Sequence, residues 1–185
     1  MKVAVTGTPG TGKTTATELL ETDLKVVHLN EVIEAEGLTA GTDERRGSWI
    51  ADLDAVADWL DGRDDAVVES HLAHRFDADR VVVLRCRPDE LERRLVARGE
   101  SREKAAENAE AEALDLILAE AVERHGEERV YEVDTTDLEP AEVAAEIRAV
   151  VAGKREPSAG IVSFVDYLDD ADVDGPLEPG SVDNR

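Results

Sequence analysis

The chain has 185 residues, 42% of them apolar but only 3% aromatic, so wholesale disorder is excluded and any core must be built from Val, Leu, Ile and Ala. With 44 acidic against 21 basic residues the formal charge is −23, which speaks against a nucleic-acid binder, since such proteins need a basic stripe. The single cysteine, Cys86, leaves no disulfide framework and no cysteine-based zinc site, and no apolar run approaches the roughly 18 residues of a membrane span.

Met1–Thr6 alternates and is β-branched, which reads as a strand ending at Gly7. The opening MKVAVTGTPG reaches a glycine loop after six residues, unlike a signal peptide, so a soluble cytoplasmic protein is expected. Thr14–Leu24 reads as a helix and Lys25–Leu29 as a second strand. Residues 30–65 read as mostly helical and acidic, with an amphipathic stretch over Ala51–Leu60. Asp64–Ser70 is a third strand with a polar end, and Arg80–Arg85, apolar almost throughout, is a fourth of the kind covered on both faces. Pro88 opens a helix with Asp89 and Glu90 in its first turn. A further helix carries the stripe Leu114, Ile117, Leu118, Ala121 and Val122 and stops near Gly126. Arg129–Asp134 is a fifth strand, and a last helix begins after Pro140 and ends at Gly153. Trp49 and Trp59 read as packing residues.

Alternating strands and helices predict an α/β three-layer fold with a five-stranded parallel sheet. The domain is expected over 1–152. Residues 153–185 are acidic and carry Gly and Pro towards the end, so they read as a mostly disordered tail. Within it Ile161–Leu168 is the exception, able to pack back or to meet a partner.

Gly7-Thr8-Pro9-Gly10-Thr11-Gly12-Lys13-Thr14 fits G-x-x-x-x-G-K-[ST] at every fixed position, after a strand and before a helix. Glycines let consecutive main-chain N–H groups curl around phosphate oxygens without Cβ clashes, and the helix that follows points its positive end at the same anion. Gly10, Gly12, Lys13, Thr14 and Thr15 are therefore the expected nucleotide-binding residues. Lys13 reaches the β- and γ-phosphates and Thr14 is a magnesium ligand. Such a loop marks a P-loop NTPase fold.

Three further segments narrow the relationship. Glu69-Ser70-His71 ends the third strand. Arg98-Gly99 leads into Ser101-Arg102-Glu103-Lys104 and Glu107-Asn108. Thr42-Asp43-Glu44 lies between strands two and three. Together with the small size and the lack of an Asn-Lys-x-Asp guanine element, residues 1–152 resemble the adenylate kinase isoenzyme six family of nucleoside monophosphate kinase–ATPases. The resemblance implies transfer of the ATP γ-phosphate to AMP or a related monophosphate with Mg²⁺, an ATPase side activity, and a role in small ribosomal subunit maturation. It implies a monophosphate-binding segment over 30–53 and a short lid over 98–108, whose Arg98 closes over the transferring group. Glu69 would hold magnesium with Thr14 or orient water, and His71 would assist it. The arginine that many adenylate kinases place on the first monophosphate-segment helix for the acceptor phosphate has no match in Glu31–Glu36, leaving Arg45, Arg46 or Arg75 to serve. Implied partners are a basic small-subunit ribosomal protein and the pre-30S particle; a monomer is expected, with neither DNA nor membrane bound. The alternatives are an assembly ATPase gated by that ribosomal protein and a kinase of another small metabolite. High Asp/Glu with only five lysines resembles proteins of salt-accumulating halophiles. At molar salt the Debye length falls to about 3 Å, so the charge would not repel an anionic substrate.

Overall fold

Among the described residues seven strands form two sheets: β1 (Lys2–Thr6), β2 (Lys25–His28), β3 (Thr39–Asp43), β4 (Ser48–Ala51), β5 (Ala66–Glu69), β6 (Arg80–Arg85) and β7 (Val130–Asp134). The protein's structure, a computed structural model, describes residues 1–43 and 48–171, with all their side chains except those at 43, 48 and 169–171. Five strands make one parallel sheet in the order β2-β5-β1-β6-β7. The chain therefore leaves β1 in one direction and later crosses to its other side. In an open parallel sheet the crevice beyond the strands' C-terminal ends at such a reversal is where ligands bind.

The side-chain period of two divides the sheet's faces. Ala4, Val68, Val81 and Val83 point to one side, against Leu29 and Ile33 of α2 (Leu29–Glu36), Val56 of α3 (Leu53–Leu60) and Leu118 of α6 (Leu116–His125). Val3, Val5, Val67, Val82 and Leu84 point to the other, against Ala16 of α1 (Lys13–Glu18) and Val143, Ile147 and Val150 of α7 (Pro140–Val151). Two helices complete the fold beside β6: α4 (Pro88–Ala97) and α5 (Arg102–Ala113), which close on Cys86 through Leu91, Leu95 and Ala105. The expected three-layer α/β fold with a five-stranded parallel sheet is present.

Several local expectations need correction. The helix read over Thr14–Leu24 ends at Glu18; beyond it Leu24 N–H is taken by the Thr22 hydroxyl at 3.1 Å, a local bond that competes with helix continuation. The segment 30–65 is not mostly helical. Gly37, at φ 66°, ends α2, and β3 and β4 pair antiparallel, with Thr42 opposite Trp49. Trp49 is no packing residue: it is 62% exposed, whereas Trp59 packs against the core. The expected lid span holds a turn followed by the first half of α5, whose Ser101 caps it by accepting from Lys104 N–H at 3.2 Å. α5 escaped the periodicity reading because its buried positions are mainly alanines (Ala105, Ala109, Ala113). Leu114, assigned to the following helix, lies outside it, since Asp115 at φ 55° separates α5 from α6.

The segment read as a mostly disordered tail begins with a docked stretch. Ser158 forms a parallel bridge with Tyr131 on the outer side of β7, and the N–H groups of Ile161 and Val162 donate to Glu132 Oε2 at 2.8 and 3.2 Å. A fully buried carboxylate needs donors, and these peptide groups supply them. Residues 166–171 form α8 (Asp166–Ala171).

Candidate functional site

The loop between β1 and α1 lies at the C-terminal end of the central strand. Gly7 takes φ 141°, and a Cβ there would stand 2.3 Å from the Leu84 carbonyl oxygen; only glycine fits so close to β6. A Cβ on Gly10, at φ 97°, would meet Leu91 Cδ1 at 2.8 Å. The loop's curl is held from within. Thr8 carbonyl oxygen accepts from Thr11 N–H at 3.2 Å, Thr11 Oγ1 at 2.9 Å and Lys13 Nζ at 3.0 Å, and Gly7 carbonyl accepts from Lys13 Nζ at 2.8 Å. Burial pushes the Lys13 ammonium down to about 8, against the pull of the Glu69 and Glu112 carboxylates.

One strand over, Glu69 ends β5, 4% exposed. Its Oε1 accepts from Thr14 Oγ1 at 3.3 Å, and its Oε2 lies 3.0 Å from His28 Nδ1. His28 was not foreseen. It joins Glu69 because β2 and β5 pair in a register that sets the two residues side by side. That register is a tertiary fact with no sequence signal. A hydroxyl and a carboxylate this close form a hard-oxygen donor pair. Among the described residues no set of three or more His, Cys, Asp or Glu could hold a metal. The Thr14–Glu69 pair fits the way Mg²⁺ binds, through one or two protein oxygens with substrate phosphates completing the shell.

The sequence-selected residues converge on two neighbouring clefts. The smaller, about 210 Å³, is lined by Gly12, Lys13, Thr14, Glu69, His71 and Arg98, together with Asn30, whose Oδ1 accepts from Ser70 Oγ at 2.8 Å. Burial and the Lys13 charge push His71 down to about 4, so its imidazole is neutral at pH 7. The larger, about 410 Å³, runs from Gly10, Gly12 and Thr15 past Arg93, Arg94 and Arg98 to the β7–α7 loop at Thr135–Pro140. Arg98, at the exposed C-terminus of α4, lines both. The β7–α7 loop was not selected from sequence; Thr135 Oγ1 donates to Thr11 carbonyl at 3.1 Å and ties it to the phosphate loop.

Of the candidate acceptor arginines, Arg45 and Arg46 lie outside the described residues. Arg75 does not reach these clefts: it pairs with Glu120 at 2.8 Å and lines a cavity with Lys2, at the opposite end of β1. His74 is buried and structural, with Nδ1 2.9 Å from Thr6 Oγ1 and Nε2 3.1 Å from Glu120.

The chain matches the AAA domain family model over residues 3–115. It is 66% identical over 168 residues to a protein of Natronomonas pharaonis named "Putative adenylate kinase", covering 91% of this chain and all of that one. A protein of the same name from Halobacterium salinarum is 62% identical over 169 residues, again 91% of this chain and all of the relative. One from Methanosarcina acetivorans is 42% identical, over 84% of this chain and 91% of the relative. Among solved structures, a sulfotransferase from Alicyclobacillus acidocaldarius aligns with a TM-score of 0.55 at 11% identity, covering 92% and 89% of the two chains; this likeness concerns the fold alone.

Proposed function

The chain belongs to an adenylate kinase-like family and carries the AAA domain match, and on that premise we propose that it transfers the γ-phosphoryl group of ATP to AMP or a related nucleoside monophosphate. The observation that carries this reading is the pair of adjoining clefts that share Arg98, Gly10, Gly12 and Thr15. The larger cleft takes the donor nucleoside towards the β7–α7 loop, and the smaller takes the acceptor phosphate beside Asn30.

The acceptor oxygen of a monophosphate is already anionic, so the reaction needs alignment and charge stabilisation rather than a strong base. The loop N–H groups and Lys13 bind the β- and γ-phosphates, and Arg98, between the clefts, neutralises charge on the group in transit. Thr14 and Glu69 would hold Mg²⁺, which supplies charge neutralisation between the phosphates when bound. His28 orients Glu69 through its second oxygen. His71, neutral and facing the same cleft, can take a hydrogen bond from water, which supports a slow ATPase side reaction when no acceptor is present. The charge of −23 suits a salt-rich cytoplasm and a basic partner, for which a small-subunit ribosomal protein in 30S maturation is the expected candidate.

Mixing ATP with AMP in concentrated KCl and quantifying ADP tests the reading. Rapid conversion at two ADP per ATP consumed supports the kinase. Slow phosphate release, stimulated by a basic ribosomal protein and indifferent to AMP, would replace it with the assembly ATPase.

The pH profile checks the role of Lys13. Its ammonium must be charged to bind phosphate, and the free protein loses that charge as pH rises through about 8. The logarithm of kcat/KM for MgATP should fall with a slope near −1 above that pH, because this ratio reports the free enzyme. kcat should stay flat there, because bound phosphate holds the proton on. A profile of kcat/KM level to pH 9.5 would show that the Lys13 ammonium keeps its proton in the free protein, against the effect of burial.

A further inference from the structure

Behind the phosphate loop runs a buried ionic chain that the proposed reaction does not use. Glu112, on α5 and 3% exposed, accepts the Thr8 hydroxyl on Oε2. Its Oε1 accepts from Arg85 Nε at 2.7 Å and from Cys86 N–H at 3.1 Å. Arg85, 1% exposed at the end of β6, also bonds Glu132 and Asp115, and the ring of Phe164 lies 5.4 Å from its guanidinium carbon. Thr8 is thus gripped at both ends, by Glu112 at its hydroxyl and by Lys13 and Thr11 at its carbonyl.

We propose that Glu112 is a positioning residue for the phosphate loop, holding Thr8 so that the Lys13 ammonium and the loop N–H groups are preset for a nucleotide triphosphate. The proposal rests on the kinase reading for its kinetic consequences but not for the tether itself. Glu112 can do this because Arg85 and the Cys86 N–H hold one carboxylate oxygen in place and leave the other for Thr8. The same helix begins at Arg102, four residues after Arg98, so α5 runs from the turn carrying Arg98 to the carboxylate that holds the loop. A charge-assisted hydrogen bond is roughly twice as strong as a neutral one, which suits a carboxylate to this task.

The test uses the full chain with Thr8→Val, Thr8→Ser, Glu112→Gln and the Thr8→Val/Glu112→Gln pair. Thr8→Val keeps the side chain's volume and leaves Arg85 with all three of its carboxylates, and a thermal melt beside the parent's separates any loss of folding from the kinetic effect. Expected are a KM for MgATP raised about tenfold with the KM for AMP within twofold of the parent, and restoration by Thr8→Ser. In the Glu112→Gln background the cost of Thr8→Val should shrink to about threefold, because a neutral amide accepts more weakly. Amide exchange over residues 7–14 should quicken in Thr8→Val while β6 and β7 exchange as before. Equal kinetics and exchange for the valine and serine variants, or the same tenfold cost in both backgrounds, would overturn the proposal. If the parent forms no ADP, the kinase reading alone fails, since the exchange rates still decide for or against the tether.

Discussion

Lys13→Ala lowers kcat/KM for ADP formation by about a hundred- to a thousandfold, the usual effect of deleting one preorganised donor at a developing negative charge. The residue is buried and makes its bonds to carbonyls of its own loop, so the alternative explanation, loss of the fold, has to be separated. Burial already pushes its ammonium down to about 8, which means that the folded state gains little from this charge. The variant should therefore melt within a few degrees of the parent by circular dichroism while calorimetry shows weakened MgATP binding. Near-parental turnover in a well-folded Lys13→Ala protein would end the assignment of this loop as the catalytic one.

The largest effect on stability is expected at Arg85→Ala. Burial disfavours the Arg85 charge, yet Glu112 and Asp115 hold its guanidinium above the ordinary arginine range. Removing it strands Glu112 at 3% and Glu132 at 0% exposure without their cation. Breaking a buried pair in this way costs about 3–5 kcal/mol, and for a domain of this size each kcal/mol moves Tm by about 2–4 °C. A fall of roughly 6–20 °C is expected in a thermal melt. Arg93→Ala provides the contrast: its bond to Glu90 is 2.7 Å long, but the arginine is 70% exposed, so solvent screening leaves the melting temperature close to the parent's. An Arg85→Ala protein melting no lower than Arg93→Ala would show that the buried cluster contributes nothing net.

Local chemistry made much of this molecule readable in advance. The β1–loop–α1 unit, the parallel sheet and the place of Lys13, Thr14 and Glu69 at its edge follow from signals confined to a few neighbouring residues: β-branched runs, glycines at a fixed spacing, a polar strand end; His71 and Arg98 stand out only through the family resemblance. Arg80–Arg85 shows its boundaries in the sequence because a strand covered on both faces is apolar at nearly every position. Other elements carry only a weak local signal. α5 buries alanines, which contribute little to periodicity, and the β3–β4 hairpin is too short and too close to acidic helix formers to stand out.

By itself the sequence determined the phosphate loop and the sheet that carries it, since glycine's conformational freedom and the period-two apolar pattern act over a handful of residues. Only the tertiary structure decided that His28 meets Glu69, that Arg98 borders two clefts, that Arg75 turns away from them, and that Glu112 reaches Thr8 across 104 positions of chain. Each of those depends on strand register or on helix packing. A buried charge takes whatever partner the completed fold brings within hydrogen-bond distance, and no local pattern encodes which one that is.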